Sequence, residues 1–175
     1  MRRLPLVAVL IAVLALGLPA CGSASQRDRT GTSARAKSGI GLKKVGQFDH
    51  PVYVTGAPGF PKLLFVVEQP GRVAVLSGGH RLPRPFLDIR GMVGYDEAER
   101  GLLSIAFPPD YRQSGSFYVY YNDDAGNIRI DEFKRRGATR ADPGSQRRVI
   151  EIPHPINANH NGGQMQFLDN LLYFG

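Results

Sequence analysis

Short apolar runs recur along this 175-residue chain, and Gly, Pro, Asn and Asp separate one run from the next. Helical periodicity is almost absent after residue 18, whereas runs of this length and punctuation are typical of β-strands. Three pairs of runs flank short turn sequences: 63–68 with 72–76, 117–122 with 127–133, and 165–167 with 171–174. These pairs predict three β-hairpins and an all-β fold.

The three hairpins are regularly spaced. Phe65, Phe117 and Leu172 lie at the start of equivalent apolar runs, about 50 residues apart, which is within the range of propeller blades. A plain β-meander produces hairpins at comparable intervals. The spacing is therefore compatible with both architectures.

Two ordered motifs favour a particular family. The first is Glu-Arg-Gly-Leu-Leu-Ser-Ile-Ala-Phe-Pro-Pro-Asp-Tyr at 99–111, and the second is Asn-His-Asn-Gly-Gly-Gln-Met-Gln-Phe at 159–167. With the strand at 117–121 between them, the region 45–175 resembles the glucose/sorbosone dehydrogenase family. That resemblance implies a six-bladed β-propeller that uses pyrroloquinoline quinone (PQQ).

Length sets how much of such a propeller this chain can form. Six blades of about 50 residues need roughly 300 residues. We therefore expect residues 40–175 to form only the first two to three blades, as the N-terminal part of the domain. The chain would then be a fragment that lacks activity by itself.

His160 is the candidate catalytic residue. The unperturbed pKa of imidazole lies close to neutrality, so this side chain can accept a proton at working pH. The glycines at 162 and 163 permit a sharp turn and the close approach of a flat ligand. The resemblance implies that His160 is a general base for a sugar hydroxyl while hydride passes to PQQ. Alternatively, His160 caps a turn between strands.

Three neighbouring positions complete the candidate site. By resemblance, Glu99 and Gln164 are cofactor-binding residues and Asn159 is a substrate-binding residue. Asn159 replaces the acid that precedes the histidine in well-known soluble glucose dehydrogenases, and Pro108 replaces a frequent histidine. The alternatives are an ion pair between Glu99 and Arg100, and a strand-edge amide at Gln164 that binds backbone groups.

No metal site can be assigned from this sequence. The resemblance implies calcium beside PQQ, with its ligands outside this chain. The segment 122–127 has a misplaced glycine and Phe133 at position twelve, so it predicts a hairpin turn rather than a calcium loop. Histidines 50, 80 and 154 lack zinc-ligand spacing, and no nucleotide-binding glycine motif is present.

The N-terminus predicts export. Two arginines precede an apolar stretch from residue 4 to 18, and Leu-Pro-Ala-Cys at 18–21 matches a lipobox in which Cys21 is lipidated. Residues 1–21 would be the lipoprotein signal peptide, and the polar residues 22–39 a flexible tether. An uncleaved signal anchor is the alternative. The only cysteine is Cys21, so the folded region can form no disulfide.

The chain is basic, with a net charge of +7 and a pI near 9.9. Its cationic residues are scattered rather than gathered on one element with interleaved aromatics, which argues against a nucleic-acid partner. The run Lys134–Arg136 predicts a solvated loop. Weak attraction to an anionic membrane surface near the lipid anchor accounts for the charge.

These observations predict a secreted, membrane-anchored oxidoreductase that oxidises an aldose or related alcohol. Its cofactors would be PQQ and calcium, its partner a small sugar, and its electron acceptor is not specified by the sequence. The alternative is a non-catalytic β-propeller at the cell surface that serves as a binding or scaffold module, because a fold does not fix a function.

Overall fold

Antiparallel β-sheet dominates the computed structural model, which describes residues 40–96 and 98–175. The residues from Leu42 to Gly175 form one compact unit. The signal peptide, the tether and Cys21 lie outside the described residues. No helix within the two described ranges has the length and apolar character needed to cross a membrane.

The first sheet is an antiparallel meander in which neighbouring strands pair in the order β1-β2-β3-β4, and the short strand β5 also pairs with β3. Its strands are β1 Pro51–Thr55, β2 Leu63–Glu68, β3 Arg72–Ser77, β4 His80–Arg81 and β5 Leu87–Asp88. The turn between β2 and β3 contains Gly71, whose φ of 117° suits a residue without a Cβ.

The second sheet repeats this meander with longer strands, in the order β6-β7-β8-β9. Its strands are β6 Leu102–Ala106, β7 Ser116–Asn122, β8 Ile128–Gly137 and β9 Arg140–Ile152, and the helix α1 Tyr111–Ser114 precedes β7. A third, two-stranded sheet pairs β10 Met165–Leu168 with β11 Leu171–Phe174. The three predicted hairpins are confirmed, with small differences at their ends.

The first strands of the three sheets lie side by side, because β6 contacts both β1 and β10. Their leading ends share one end of the structure. The carbonyl of Gln69, in the β2–β3 turn, accepts the N–H of Leu102 at 2.8 Å, while the N–H of Gln69 donates to His50 at 3.0 Å. Asn122 at the end of β7 contacts Asn161 before β10. We call this end the rim.

An aromatic core joins the first two sheets. Phe117 is fully buried, and its ring centroid lies 5.0 Å from that of Phe86 and 5.9 Å from that of Phe133. Side chains alternate along a strand, so the opposite face of the second sheet packs Tyr120 and Ile130 against Met165 of β10. Each sheet is thereby held to the next through one apolar face.

The other face of the first sheet carries an apolar groove of about 550 Å³. Phe48 covers Val66, Ala74 and Leu76 at one side of this face. Val54 and Leu64, which also line the groove, remain exposed. Large apolar side chains are also exposed on the third sheet, at Leu168, Leu171 and Tyr173.

The prediction of a loop at Lys134–Arg136 was wrong, because these residues continue β8, which pairs with β9, although Lys134 and Arg136 are exposed as predicted. Arg135 is partly buried, with its guanidinium 5.4 Å from the centroid of Phe60 and 5.8 Å from that of Tyr111. Because Arg135 stands in a run of three cationic residues, the sequence suggested a loop here and not a strand. The aliphatic stem of an arginine packs on apolar surface while its charged end contacts the aromatic faces.

Candidate functional site

The segment that carries the candidate histidine links β9 to β10 at the rim, and we call residues 153–164 the His160 loop. His160 adopts a φ of 60°, in the left-handed region that costs a non-glycine residue about 1 kcal/mol. Its side chain is exposed, and its ring makes no hydrogen bond with the residues that the structure describes. The imidazole therefore remains accessible to a ligand at the rim.

Buried amides hold the middle of the His160 loop. Asn161 is 2% exposed and accepts a hydrogen bond on Oδ1 from Nδ2 of Asn122 at 2.8 Å. Its own Nδ2 donates to the carbonyl of Ala158 at 2.8 Å, and its carbonyl accepts the Tyr120 hydroxyl at 2.6 Å. Burial raises the pKa of Tyr120, which keeps this hydroxyl protonated as a donor.

Two adjacent residues from the segment before β6 also contact the loop. Oε2 of Glu99 accepts the backbone N–H of His160 at 2.7 Å. The guanidinium of Arg100 donates to the carbonyl of Asn157 at 2.9 Å and to those of Pro155 and His154 at 3.3 and 3.4 Å. Glu99 and His160 are thus brought together, although by a backbone contact that the sequence did not predict.

The other two predicted site residues are exposed at the same rim. Nε2 of Gln164 lies 3.5 Å from the Tyr53 hydroxyl of β1 and 3.3 Å from the carbonyl of Met165. Asn159 contributes its carbonyl, which accepts a hydrogen bond from Nε2 of His154 at 3.0 Å. The amide side chains of both residues face solvent and can bind a ligand.

Gly162 and Gly163 adopt φ values of 67° and 122°, so both need the freedom that glycine provides. The space beside Gly163 is occupied by β6. A Cβ at this position would lie 2.8 Å from Cβ of Leu103. The absence of a Cβ at Gly163 therefore lets a neighbouring strand pack closely against the loop.

The residues that position the loop were missed in the sequence. Arg100 entered the sequence analysis only as a possible ion-pair partner of Glu99, and neither Tyr120 nor Asn161 was singled out. The Glu-Arg pair at 99–100 within a recognised motif was the one available signal for Arg100. Nothing local marks Asn122 and Asn161 as partners, because 39 residues separate them in the chain.

Within the described parts of the chain, no three His, Cys, Asp or Glu side chains cluster in a way that could hold a metal ion. The turn at 123–127 is stabilised internally: Oδ1 of Asp123 accepts the N–H groups of Ala125 and Asn127 at 3.1 and 2.9 Å. This geometry agrees with the prediction of a hairpin turn at these residues.

Solved structures share this arrangement of sheets. PQQ-bound aldose sugar dehydrogenase from Streptomyces coelicolor is similar with a TM-score of 0.63 and 24% identity, over 77% of this chain and 40% of that one. The soluble aldose sugar dehydrogenase from Escherichia coli, in its apo form, is similar with a TM-score of 0.55 and 21% identity, over 69% and 35%. The fold is therefore part of a β-propeller, which confirms the predicted fold class.

The family is identified by comparison of the sequence with family models. Residues 48–175 match the family model described as Glucose / Sorbosone dehydrogenase. This chain belongs to the glucose/sorbosone dehydrogenase family, as its two ordered motifs predicted.

Two curated proteins that are not named as dehydrogenases are also similar to this chain. Hedgehog-interacting protein from Mus musculus and from Homo sapiens is 33% identical over 128 residues, which cover 63% of this chain. The chain spans 18% of the length of these curated relatives. The match is therefore confined to one part of a much longer protein.

Proposed function

We propose that the protein containing this chain oxidises an aldose or a related alcohol with PQQ as the electron acceptor in its site. Family membership and the fold shared with a PQQ-bound aldose sugar dehydrogenase support this proposal. The observation that carries it is the accessible imidazole of His160, held on a left-handed backbone at the rim formed by the leading ends of β1, β6 and β10. Strained backbone of this kind is typical of functional sites.

The residues at the rim fit the hydrogen-bonding needs of a quinone. The Gln164 amide can donate to a carbonyl oxygen, and the Glu99 carboxylate can accept from an N–H or O–H group. PQQ, when bound, supplies an electrophilic quinone that takes up two electrons as hydride. Arg100, the arginine whose guanidinium contacts the loop, already binds loop carbonyls, so the cations for the PQQ carboxylates are expected from other segments.

Calcium is expected from the same family resemblance, and its ligands must also come from elsewhere. The described residues offer no cluster of three acidic or histidine side chains. Calcium requires six to eight oxygen ligands at a suitable radius. We therefore assign no step of the reaction to a metal held by this chain.

His160 would act as the general base. A neutral imidazole within hydrogen-bond reach of a substrate hydroxyl accepts its proton as the carbon–hydrogen bond breaks. Asn159 is adjacent and can hydrogen-bond the substrate through its amide, but it carries no charge to stabilise the imidazolium. The hydrogen bond from the His160 N–H to Glu99 fixes the backbone from which the ring projects.

The test uses the complete reading frame that contains this chain, because the chain covers 40% of its PQQ-bound relative. The purified protein is reconstituted with PQQ and calcium, and dye reduction is followed with a panel of aldoses. We expect His160→Ala to lower kcat by about 100-fold or more, since positioned general bases contribute on this scale. His80→Ala, at an exposed residue of β4, is the matched control. Full activity of His160→Ala would refute this mechanism.

A second candidate function is binding without catalysis at the cell surface. It is favoured by the 33% identity to proteins named for an interaction with Hedgehog, and by Asn159 in place of an acid. If the complete protein binds no PQQ by calorimetry and reduces no dye, while its β-sheet spectrum is intact, the binding function replaces the enzymatic one.

We further propose that the protein is exported and anchored to a membrane through a lipid on Cys21. The signal-like composition of residues 1–21 supports this proposal. Metabolic labelling with a radioactive fatty acid should modify the wild-type protein and leave Cys21→Ser unlabelled. Equal labelling of both proteins, or export of neither, would contradict it.

A further inference from the structure

One guanidinium nitrogen contacts three carbonyl groups of the His160 loop, which share its two hydrogens. Nη2 of Arg100 lies 2.9 Å from the carbonyl oxygen of Asn157, 3.3 Å from that of Pro155 and 3.4 Å from that of His154. This part of the loop is irregular, so its carbonyl groups have no strand partner to satisfy them. Hydrogen bonds from a charged donor are roughly twice as strong as neutral ones.

Arg100 is itself fixed along its backbone. Its N–H donates to Oδ1 of Asp96 at 3.2 Å, and its carbonyl accepts Nε2 of Gln69 at 3.2 Å. Gly126 lies directly beneath the guanidinium, where a Cβ would be 2.7 Å from Nη2 of Arg100. The arginine is therefore held between two turns of the rim before it reaches the loop.

Glu99 contacts the His160 loop at residue 160, on the C-terminal side of the carbonyl groups that Arg100 binds. Its Oε2 accepts the N–H of His160 at 2.7 Å, the residue whose φ of 60° is unfavourable without a compensating contact. Two neighbours of opposite charge thus reach two different kinds of backbone group: the cation binds carbonyl oxygens, and the carboxylate binds an N–H group. A simple ion pair between the two side chains would leave both sets of backbone groups unbound.

We infer that Glu99 and Arg100 form a two-point clamp on residues 154–160, and that Arg100 is a positioning residue for His160. The clamp fixes the loop to the leading end of β6, the strand that lies between β1 and β10. Its structural part depends only on these contacts. Its effect on turnover rests on the proposed function.

Hydrogen–deuterium exchange of the complete protein without cofactor tests the structural part. We expect the peptide covering 153–161 to exchange about tenfold faster in Arg100→Gln, because charge-assisted hydrogen bonds are lost, while the peptide covering β7 is unchanged. Arg100→Lys keeps the charge but not the planar fork, so it should restore protection only in part. Wild-type exchange of the loop in both variants would overturn the clamp.

A matched arginine controls for general loss of stability. Arg135 is also partly buried and donates to a carbonyl, that of Arg112 at 2.9 Å, but it lies away from the His160 loop. Arg135→Gln should leave exchange of the loop unchanged. Acceleration equal to that of Arg100→Gln would show a global effect and would overturn the specific role of Arg100.

The Glu99 contact is tested by a conservative pair of variants. Glu99→Gln retains an oxygen that can accept the His160 N–H, whereas Glu99→Ala does not. We expect the backbone N–H of His160 to keep nearly wild-type protection in Glu99→Gln and to exchange faster in Glu99→Ala. Identical exchange in Glu99→Ala and wild type would remove Glu99 from the clamp.

Kinetics separate this inference from the proposed function. In an active protein, Arg100→Lys should lower kcat about tenfold with little change in KM, because a displaced base affects the chemical step more than binding. Unchanged kcat despite faster loop exchange would overturn the positioning role. If the wild-type protein oxidises no sugar, the proposed function fails, and the exchange measurements still decide whether the clamp exists.

Discussion

Asn122 and Asn161 form a buried amide–amide hydrogen bond of 2.8 Å that connects the end of β7 to the His160 loop. Oδ1 of Asn122 also accepts the N–H of Gly101 at 3.3 Å, just before β6. One side chain thereby joins two of the three segments that form the rim. The position of His160 depends on this bond as well as on its own neighbours.

Removal of the Asn161 amide should destabilise the protein. Asn161→Ala leaves the Asn122 amide group buried without its partner, which costs about 1–3 kcal/mol in the free energy of unfolding. Chemical denaturation followed by circular dichroism measures this loss. Asn157→Ala is the control, because Asn157 is exposed and uses only its carbonyl. Equal stability of both variants would argue against the buried amide pair.

Gly101 should not tolerate a side chain. It adopts a φ of 153°, and an added Cβ would lie 2.6 Å from the backbone oxygen of Gln69. We expect Gly101→Ala to lower the free energy of unfolding by about 2 kcal/mol or more, since the β2–β3 turn must move. In the control Gly137→Ala, an added Cβ meets no atom within 4 Å, and stability should change by less than about 0.5 kcal/mol.

Phe117 should be among the most costly residues to truncate. It is fully buried between the first two sheets and contacts the rings of Phe86, Phe107 and Phe133. Phe117→Ala creates a cavity and should cost about 3–5 kcal/mol. Thermal unfolding measures this loss, with Leu171→Ala as a control at a side chain that is 60% exposed. A similar change in both variants would contradict the assigned core.

Glu132 should contribute to stability in a pH-dependent manner. Burial acts to raise its pKa, but hydrogen bonds from Arg147 and Ser116 outweigh burial and lower the pKa below the ordinary 4.5. A carboxyl with a lowered folded-state pKa stabilises the protein above its unfolded pKa, and this contribution is lost as the pH falls through the folded value.

We therefore expect wild-type Tm to fall below about pH 4.5, and Glu132→Gln to show a shallower fall. At neutral pH the variant should be less stable, because the contact with Arg147 loses its charge. Asp124→Asn, at an exposed turn residue, is the control. Parallel pH curves for Glu132→Gln and wild type would show that Glu132 is not responsible.

Much of the fold was predictable because local signals agreed. The apolar runs that form β2 and β7 and the turn residues at 69–71 and 123–126 are short-range features, and they predicted both hairpins. The strand β9 was not predicted, since it contains Pro143 and Gly144 and several charged residues. Its pairing with β8 overrides these local preferences, and register shifts at several points accommodate them.

The candidate site was predictable only in part, because its contacts join residues that lie far apart in the sequence. A motif indicates which residue types occur together, so His160 and Glu99 could be named from the sequence. The contact between the Glu99 carboxylate and the backbone of His160 joins residues 61 positions apart. Contacts at this separation depend on how the sheets pack, which a local pattern does not specify. The assigned roles of Gln164 and Asn159 remain predictions.

The exposed rim and the buried aromatic core lie in different parts of this chain. The segments before β1, β6 and β10 reach the same end of the structure, while the aromatic core holds the sheets from within. Substitutions at exposed rim positions can therefore change ligand preference without disturbing the packing that supports them. Under the proposed function, laboratory evolution limited to the exposed positions of these three segments should change substrate preference while the aromatic core stays intact.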